Sequence, residues 1–172
     1  MSQAIEVAPP TPVTELRSDV ALRDALASFP SGVTIVTTKD ADGRWWGFTA
    51  SSFCSVSMRP PLVLVCLATS AECYPVFDAA EEWVIQVIHP DHAEIASRFA
   101  TRGADKFGDG GFRLGVHGLP VLDEAIATIH CRRHQHYPAG DHTILLGEVQ
   151  STAADLSREP AIYFRRGFHR LS

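Results

Sequence analysis

This sequence has few cysteines, no long apolar run and no concentration of positive charge, and each absence excludes a class of protein. Its four cysteines include no Cys-x-x-Cys pair, so we expect free thiols in a reducing cytoplasm. No apolar run approaches the roughly 20 residues that a membrane span needs, and the N-terminus lacks a signal-peptide pattern. A net charge of −5 makes nucleic acid an unfavourable partner.

Two common enzyme signatures are also missing. The chain has neither Gly-x-Gly-x-x-Gly nor Gly-x-Ser-x-Gly, which argues against a Rossmann site and against an α/β-hydrolase. A length of 172 residues with 45% hydrophobic content is enough for one domain with an ordinary core. We therefore expect one folded domain over residues 18–172, preceded by a flexible, proline-containing leader over residues 1–17.

The pattern of apolar and turn residues predicts many short strands and few helices. Strands are predicted at 33–38, 45–50, 62–67, 83–88, 112–116, 125–136, 143–152 and 161–164. Helices are predicted at 18–29, 72–80 and 92–100, with Ser18, Ser70 and Asp91 as N-caps and an apolar stripe of Leu22, Leu26 and Phe29 on the first. Short antiparallel strands with few helices between them favour a closed or sandwiched β-structure.

Residues 47–61 are the most distinctive stretch, because five hydroxyl side chains lie between Thr49 and Ser57 ahead of a double proline. Small hydroxyls leave room for a phosphate or the polar edge of a heterocycle to approach the main chain. Pro60 and Pro61 stop any helix, so the apolar run that follows should begin a buried strand. Taken alone, the stretch is better explained as a Ser/Thr-rich strand edge and turn.

A second pattern concerns metal binding. His130, Arg132, His134 and His136 alternate, so a strand would place all four on one face. His134 and His136 could then form a pair of ligands at a strand edge, but two ligands are too few, and Cys131 would point to the opposite face. We therefore expect no metal site.

Four blocks of this sequence, in order, resemble the short-chain flavin reductase family, the reductase partners of two-component flavin-dependent monooxygenases. The blocks are residues 29–38, 47–61, 97–100 with 106–107, and 140–144 with 147–149. Each block is weak alone, but the ordered set is specific and spans roughly residues 20–170. The resemblance implies a mainly β fold with flanking helices, a Greek-key split β-barrel, in a homodimer with flavin sites at the subunit interface.

The resemblance also implies an activity, transfer of hydride from NADH to FAD or FMN, followed by release of the reduced flavin to a partner monooxygenase. It assigns flavin contacts to Thr49, Ala50, Ser51, Ser52 and Ser57, and the lining of the ring or ribityl chain to Cys66, Leu67 and Ala68. It places Ser97, Arg98 and Phe99, with Lys106 and Phe107, beside the phosphates and the adenine end. It places His142, the catalytic candidate, near the nicotinamide, together with Tyr163, Arg165 and Arg166.

Several of these residues have an ordinary structural interpretation as well. Cys66 fits a core position equally well, and the spacing of Phe99 from Ile95 favours a core position for that ring. A lone loop histidine such as His142 is more often solvated, and the arginines fit solvated surface positions. Gln86 stands where family members often have asparagine, so the exact flavin contacts and the choice of FAD or FMN stay open.

Two other functions remain as alternatives to a reductase. One is a flavin- or heme-binding split-barrel protein without turnover, acting as a carrier or sensor. The other is an interaction domain without any cofactor, for which the ordered blocks would be a coincidence.

Overall fold

The computed structural model describes residues 19–171, in which antiparallel strands dominate. Within that part of the chain the helices are α1 (Asp19–Ala27), α2 (Tyr74–Ala79) and α3 (Ala93–Ala100). The strands are β1 (Ser31–Gly32), β2 (Thr34–Lys39), β3 (Trp45–Ala50), β4 (Cys54–Met58), β5 (Pro61–Ala68), β6 (Glu82–Val87), β7 (Phe112–Leu114), β8 (Pro120–Leu122), β9 (Ala127–Ala139), β10 (His142–Ala154), β11 (Ile162–Phe164) and β12 (Gly167–His169). The predicted leader and Ser18 lie outside the described residues.

A seven-stranded antiparallel sheet, in the order β3-β2-β6-β9-β10-β5-β4, forms the body of the fold. Strands at opposite ends of this order share one core, because Phe48 of β3 and Val65 of β5 pack in the same cluster as Trp83 of β6 and Phe77 of α2. The sheet therefore curls around its apolar face without hydrogen bonding between β3 and β4 in the described residues. Non-sequential neighbours such as β5 and β10 reflect Greek-key connections. The predicted mainly β split-barrel fold with flanking helices is confirmed.

A second core holds α3 against the outer side of the sheet. Phe99 of α3 packs on Phe107 and Phe112, with ring centroids 5.1 Å away in each case. The helix comes so close to β3 that a Cβ atom on Gly47 would lie 2.6 Å from the Phe99 ring. This packing fixes the position of the loop between α3 and β7.

Gln86 stabilises the sheet from within. Its Nε2 donates to the Ile35 carbonyl oxygen (3.2 Å) and to Thr37 Oγ1 (2.9 Å), and its Oε1 accepts from the backbone N–H of Leu122. The side chain is fully buried, so these bonds offset the cost of removing an amide from water. The amide thus joins β6 to β2 and β8 in the interior of the fold.

The predicted helix caps are wrong for the second and third helices. The second helix begins at Tyr74, and the residue at its N-cap is Cys73 rather than Ser70. Before α3 a 3-10 turn, Pro90–His92, is capped by the His89 side chain, while the Asp91 carboxylate accepts from Arg170 at 2.6 Å. The Asp91 side chain, which the local sequence assigns to capping, therefore binds a residue that is distant in the sequence.

The predicted alternation along the histidine-rich strand β9 is also wrong. Pairing with β10 skips His134, so that residue forms a bulge and the following residues change face. His136 packs against Trp83 of the main core, with ring centroids 5.8 Å apart. His130 pairs with Val84, the neighbour of Trp83 in β6, and so lies on the opposite face.

The apolar stripe predicted for α1 exists, but it does not pack in the described chain. Leu22, Leu26 and Phe29 are 61%, 65% and 76% exposed. The helix is held at its C-terminal end, where the Ala27 carbonyl oxygen accepts from the Arg165 N–H at 2.9 Å. No helix in residues 19–171 has both the length and the apolar character to cross a membrane.

Candidate functional site

A cleft of about 380 Å³ opens where β3 and β5 approach the C-terminal end of α3. A cavity of about 810 Å³ adjoins it and shares four of its lining residues. The cleft is lined by Gly47, Phe48, Thr49, Cys66, Leu67, Ala68, Ser70, Ala71, Glu72, Cys73, Phe99, Ala100, Thr101, Arg102, Lys106 and His142. Folding therefore brings parts of three of the four predicted blocks to one place, at residues 47–49, at residues 99–100 with Lys106, and at His142.

One wall of the cleft is formed by β5. Burial alternates along this strand, with Leu67 directed into the core and Cys66 and Ala68 only partly covered. Cys66 and Ala68 are small, so this wall leaves space for a flat group to lie close to the strand. Cys66 and Ala68 therefore line the cleft, and Leu67 belongs to the core as well as to the cleft lining.

The wall formed by β3 is tied to α3. Thr49 Oγ1 donates to the Ala96 carbonyl oxygen at 2.6 Å, so its lone pairs remain available to accept from a ligand. Phe99, only 2% exposed, belongs to the core and also lines the cleft. The core position predicted for this ring is confirmed.

The rest of the hydroxyl-rich stretch does not line this cleft. Ser52 Oγ accepts from the Cys66 N–H at 2.9 Å, so it holds the main chain of the β5 wall. Ser57 Oγ accepts from the Arg59 N–H at 3.2 Å, within the turn between β4 and β5. Ala50 is buried and Ser51 is exposed. None of the hydroxyls from Ser51 to Ser57 therefore lines this cleft.

His142 stands at the rim of the cleft, at the first residue of β10. It pairs with Ala68 of β5, and its side chain is 45% exposed. Its Nδ1 lies 2.7 Å from Asp141 Oδ1, and this hydrogen bond lowers the pKa of the Asp141 carboxyl. The ionised aspartate fixes the orientation of the imidazole, leaving Nε2 for another partner.

Charged groups concentrate at the mouth of the cleft. Lys106 Nζ donates to the Thr101 carbonyl oxygen at 2.6 Å, near the C-terminal end of α3. Arg102 Nε lies 3.7 Å from Glu72 Oε1, and the same glutamate accepts from the Gly103 N–H at 2.9 Å. These contacts join the loop after β5 to the loop after α3 and place two cations beside the opening.

The remaining residues predicted near the phosphates lie around α3. Ser97 Oγ donates back to the Ala93 carbonyl oxygen, and the Arg98 guanidinium pairs with Asp109. Phe107 lines the adjoining cavity, where its ring meets Trp45 with centroids 5.5 Å apart. Ser97 and Arg98 thus have hydrogen-bonding partners close to α3, whereas the Phe107 ring lines the adjoining cavity.

The predicted C-terminal residues lie away from the cleft. Tyr163 belongs to β11 and pairs with Ser31, and Arg166 Nη2 donates to Asp24 of α1 at 2.7 Å. The Arg165 guanidinium lies over the Phe164 ring at 5.1 Å. In the single chain the Arg166 side chain binds α1, the Tyr163 ring packs on the second core, and none of the three residues lines the cleft.

Comparison with known proteins agrees with this geometry. The family described as "Flavin reductase like domain" matches residues 26–172, which is most of the chain. The chain belongs to this family. Because the match includes β3, β5, α3 and β10, every wall of the cleft lies within the family domain.

Three relatives illustrate the likeness of this flavin reductase-like domain to known proteins. An actinorhodin polyketide dimerase from Streptomyces coelicolor is 52% identical over 86% of this chain and 83% of its own length. An NADH:riboflavin 5'-phosphate oxidoreductase from Streptomyces pristinaespiralis is 41% identical over 86% and 85%. The structure of the Streptomyces globisporus C-1027 NADH:FAD oxidoreductase, in complex with NAD and FAD fragments, has a TM-score of 0.87 at 33% identity and covers 94% and 98% of the two chains.

Sequence reasoning missed part of the lining of this flavin reductase-like domain. The segment from Ser70 to Cys73 and residues Thr101 and Arg102 line the cleft, but they were predicted only as helix ends or loop. The adjoining cavity contains Arg44 and the Trp45-Trp46 pair, whose unusual double aromatic was the one available signal. Loop residues of this kind are placed by packing and carry little pattern of their own.

Proposed function

We propose that this chain is an NADH-dependent flavin reductase that transfers hydride from NADH to FAD or FMN and releases the reduced flavin. The observation that carries this conclusion is the cleft itself, where Thr49, Cys66, Lys106 and His142 converge from four separate segments. When bound, the two nucleotides supply the redox chemistry, with hydride passing from nicotinamide C4 to flavin N5. The residues need only bind, orient and shield them.

The cleft suits a flavin ring by its shape. Cys66 and Ala68 offer small side chains along one wall, and Gly47 has none at all on the other. Thr49 and His142 supply polar atoms at the edges of this flat space. An isoalloxazine requires apolar surfaces for its faces and hydrogen-bonding groups for its rim, and these residues provide both.

The phosphates and the adenosine end require a different environment, and the adjoining cavity supplies it. Lys106 lies between the two spaces, and Arg44 extends the positive charge along the second. Trp45 and Phe107 provide aromatic surface for an adenine. We assign the flavin ring to the smaller cleft and the charged, aromatic cavity to the nucleotide tail.

His142 is assigned to the nicotinamide side. Its imidazole is partly exposed at the rim, where a second ring stacked on the flavin would end. Asp141 holds Nδ1, so we assign the contact with the ligand to Nε2. In this role His142 binds and orients NADH without transferring a proton in the hydride step.

We also propose a setting for the enzyme. The cleft is open to solvent at His142 and Arg102, which supports release of reduced flavin to a separate monooxygenase. The relative named as a polyketide dimerase supports a partner that acts on a polyketide. The exposed apolar face of α1 supports a homodimer, and four free cysteines support a cytoplasmic location.

The test is a steady-state assay with the purified full chain, NADH and either FAD or FMN, followed by absorbance at 340 nm. We expect NADH oxidation that requires added flavin and saturates with it. Reactions without flavin and with heat-denatured protein are the controls. A protein that stays yellow through purification but does not oxidise NADH would instead identify a flavin carrier or sensor.

A further inference from the structure

A cluster of two histidines and a glutamate lies on the sheet face opposite the main core. His117 Nδ1 is 2.8 Å from Glu82 Oε2, and His130 Nε2 is 3.9 Å from Glu82 Oε1. One ligand atom from each residue lies within 4.8 Å of the other two. None of these residues lines the flavin cleft, so the cluster is independent of the function proposed above.

Two of the three residues are positioned by strand register. Val84 of β6 pairs with His130 of β9, so Glu82, two residues earlier in β6, projects from the same face. Thr38 Oγ1 donates to the Glu82 carbonyl oxygen at 2.7 Å and holds this end of β6 to β2. The carboxylate and the imidazole therefore stand side by side on a rigid sheet.

The third residue comes from the connection between β7 and β8. His117 lies in the 3-10 turn Val116–Gly118 with a φ of 59°, a left-handed conformation that costs energy for a residue other than glycine. Lys39 Nζ donates to its carbonyl oxygen at 2.6 Å and fixes the turn over the sheet. This backbone turns the imidazole toward Glu82 and His130, with ring centroids of the two histidines 5.0 Å apart.

The buried histidine lacks a hydrogen bond that its position demands. Only 8% of the His130 side chain is exposed, and Nε2 has no hydrogen-bond partner among the described residues. A buried polar atom without a partner is costly and calls for a specific explanation. Here the atom points at a carboxylate oxygen that is too distant for a hydrogen bond but close enough to share a cation.

We propose that Glu82, His117 and His130 bind one divalent transition-metal ion of the Zn²⁺ type. Two imidazole nitrogens and one carboxylate oxygen form a common three-residue ligand set for zinc, which leaves a fourth position for water. Bonds of about 2.0–2.1 Å in a tetrahedral site place ligand atoms roughly 3.3 Å apart. His117 lies 2.8 Å from Oε2 and His130 lies 3.9 Å from Oε1 of the same carboxylate, so rotations of the side chains are needed to bring one oxygen and both nitrogens around an ion.

The bound ion would join the 3-10 turn Val116–Gly118, which lies in the connection between β7 and β8, to β6 and β9.

The experiment measures Zn²⁺ binding by EDTA-treated, full-length protein in competition with a chromophoric zinc chelator. We expect one equivalent of Zn²⁺ to bind, and the His117→Ala variant to bind at least tenfold more weakly. His117 lies on an exposed turn, so this variant should fold, which circular dichroism will verify. Glu82→Gln is the second variant and should weaken binding in the same direction. Co²⁺ should give the visible absorption of a tetrahedral nitrogen–oxygen site in the wild type.

His134→Ala is the matched control, because His134 is an exposed histidine of the same strand β9 outside the cluster. It should bind Zn²⁺ as the wild type does. Absence of competition by the wild type overturns the proposal, and so does wild-type affinity in a folded His117→Ala variant. Equal weakening in His117→Ala and His134→Ala would also overturn it, because binding would then be a general property of surface histidines.

Discussion

At the scale of single residues, the position of His142 at the start of β10 bears on its proposed role in binding NADH. It begins β10 beside Ala68, and its hydrogen bond to Asp141 sets the direction of the ring. Sequence alone left it as an ordinary solvated histidine or a nicotinamide contact. The position at the rim of the cleft favours the second interpretation, since the imidazole is partly exposed and lines the opening.

We predict that His142→Ala impairs the use of NADH more than the binding of flavin. Loss of one oriented hydrogen-bonding group should raise the KM for NADH about tenfold and leave flavin affinity within about twofold. The measurements are steady-state kinetics with varied NADH and a flavin fluorescence titration. His134→Ala, a histidine outside the cleft, is the control. Equal losses for both ligands would move His142 away from the nicotinamide.

The four thiols differ in environment, and their reactivity should follow. Burial raises the pKa of Cys73 to about 11 and that of Cys131 to about 12, so both stay protonated near pH 8. Cys54 is exposed, and Cys66 lies partly exposed in the cleft. The thiolate is the reactive form, so burial and protonation together protect the first pair.

We predict that iodoacetamide at pH 8 modifies Cys54 first, then Cys66, and leaves Cys73 and Cys131 unmodified in the native protein. Added FAD should slow the modification of Cys66 several-fold without affecting Cys54, because Cys66 lines the proposed flavin site and Cys54 does not. Mass spectrometry of tryptic peptides gives the rates, and protein unfolded in urea provides the fully reactive reference. Protection of Cys54 by FAD, with none at Cys66, would contradict the assignment of the cleft.

At the scale of elements, the contact of α3 with β3 determines whether the cleft exists. The helix supplies Phe99, Ala100 and the loop that begins at Thr101, so a shift of the helix moves one entire wall. The approach depends on Gly47, since a Cβ there would also meet the Val36 carbonyl oxygen at 2.9 Å. A backbone atom cannot move aside as a flexible side chain can.

We predict that Gly47→Ala lowers the free energy of unfolding by roughly 1–3 kcal/mol, the usual cost of overpacking, and weakens flavin binding through the displaced helix. Urea unfolding and flavin titration measure the two effects. Gly32→Ala is the matched control, since a Cβ there would have no atom within 4 Å. Similar losses in both variants would indicate an effect of backbone entropy rather than of the α3 contact.

At the scale of the whole molecule, the apolar surface of α1 is the feature that a single chain leaves unexplained. Val20, Leu22, Leu26 and Phe29 are all largely exposed on this one helix and the residues after it. The helix is nevertheless fixed in place by Arg166 and by the hairpin of β11 and β12. A fixed apolar helix supports the proposed contact with a second copy of the chain.

We predict that the double substitution Leu22→Asp and Leu26→Asp converts the proposed dimer to a monomer, because two charges would be buried in the proposed interface. Light scattering coupled to size-exclusion chromatography measures the mass. Leu156→Asp is the control, since Leu156 is 93% exposed in a loop and should not affect assembly. A wild type that is already monomeric, or a double variant that remains a dimer, would place the interface elsewhere or remove it.

Much of the fold could be read from the chain because local rules are strong in its strands and turns. The hairpin at Asp40 to Gly43 and the strand after Pro60 and Pro61 follow from turn chemistry and restricted backbone angles. The ordered blocks that meet at the cleft were also visible as motifs. The prediction of Asp91 as a helix cap was wrong, because its side chain binds Arg170, which is about eighty residues away in the sequence. A prediction from neighbouring residues cannot include such a partner.

The sequence by itself determined the class of fold, the family and seven of the sixteen residues that line the cleft, because alternating strands and short motifs are local properties of the chain. Only the tertiary structure decided which hydroxyls line the cleft. Thr49 lines it, whereas Ser52 accepts a hydrogen bond from the Cys66 main chain and does not line it. In the folded chain, a bulge in β9 places His130 and His136 on opposite faces of the sheet, and His117 lies beside His130. Register, bulges and loop placement depend on contacts between distant segments, and the order of residues along one strand does not contain them.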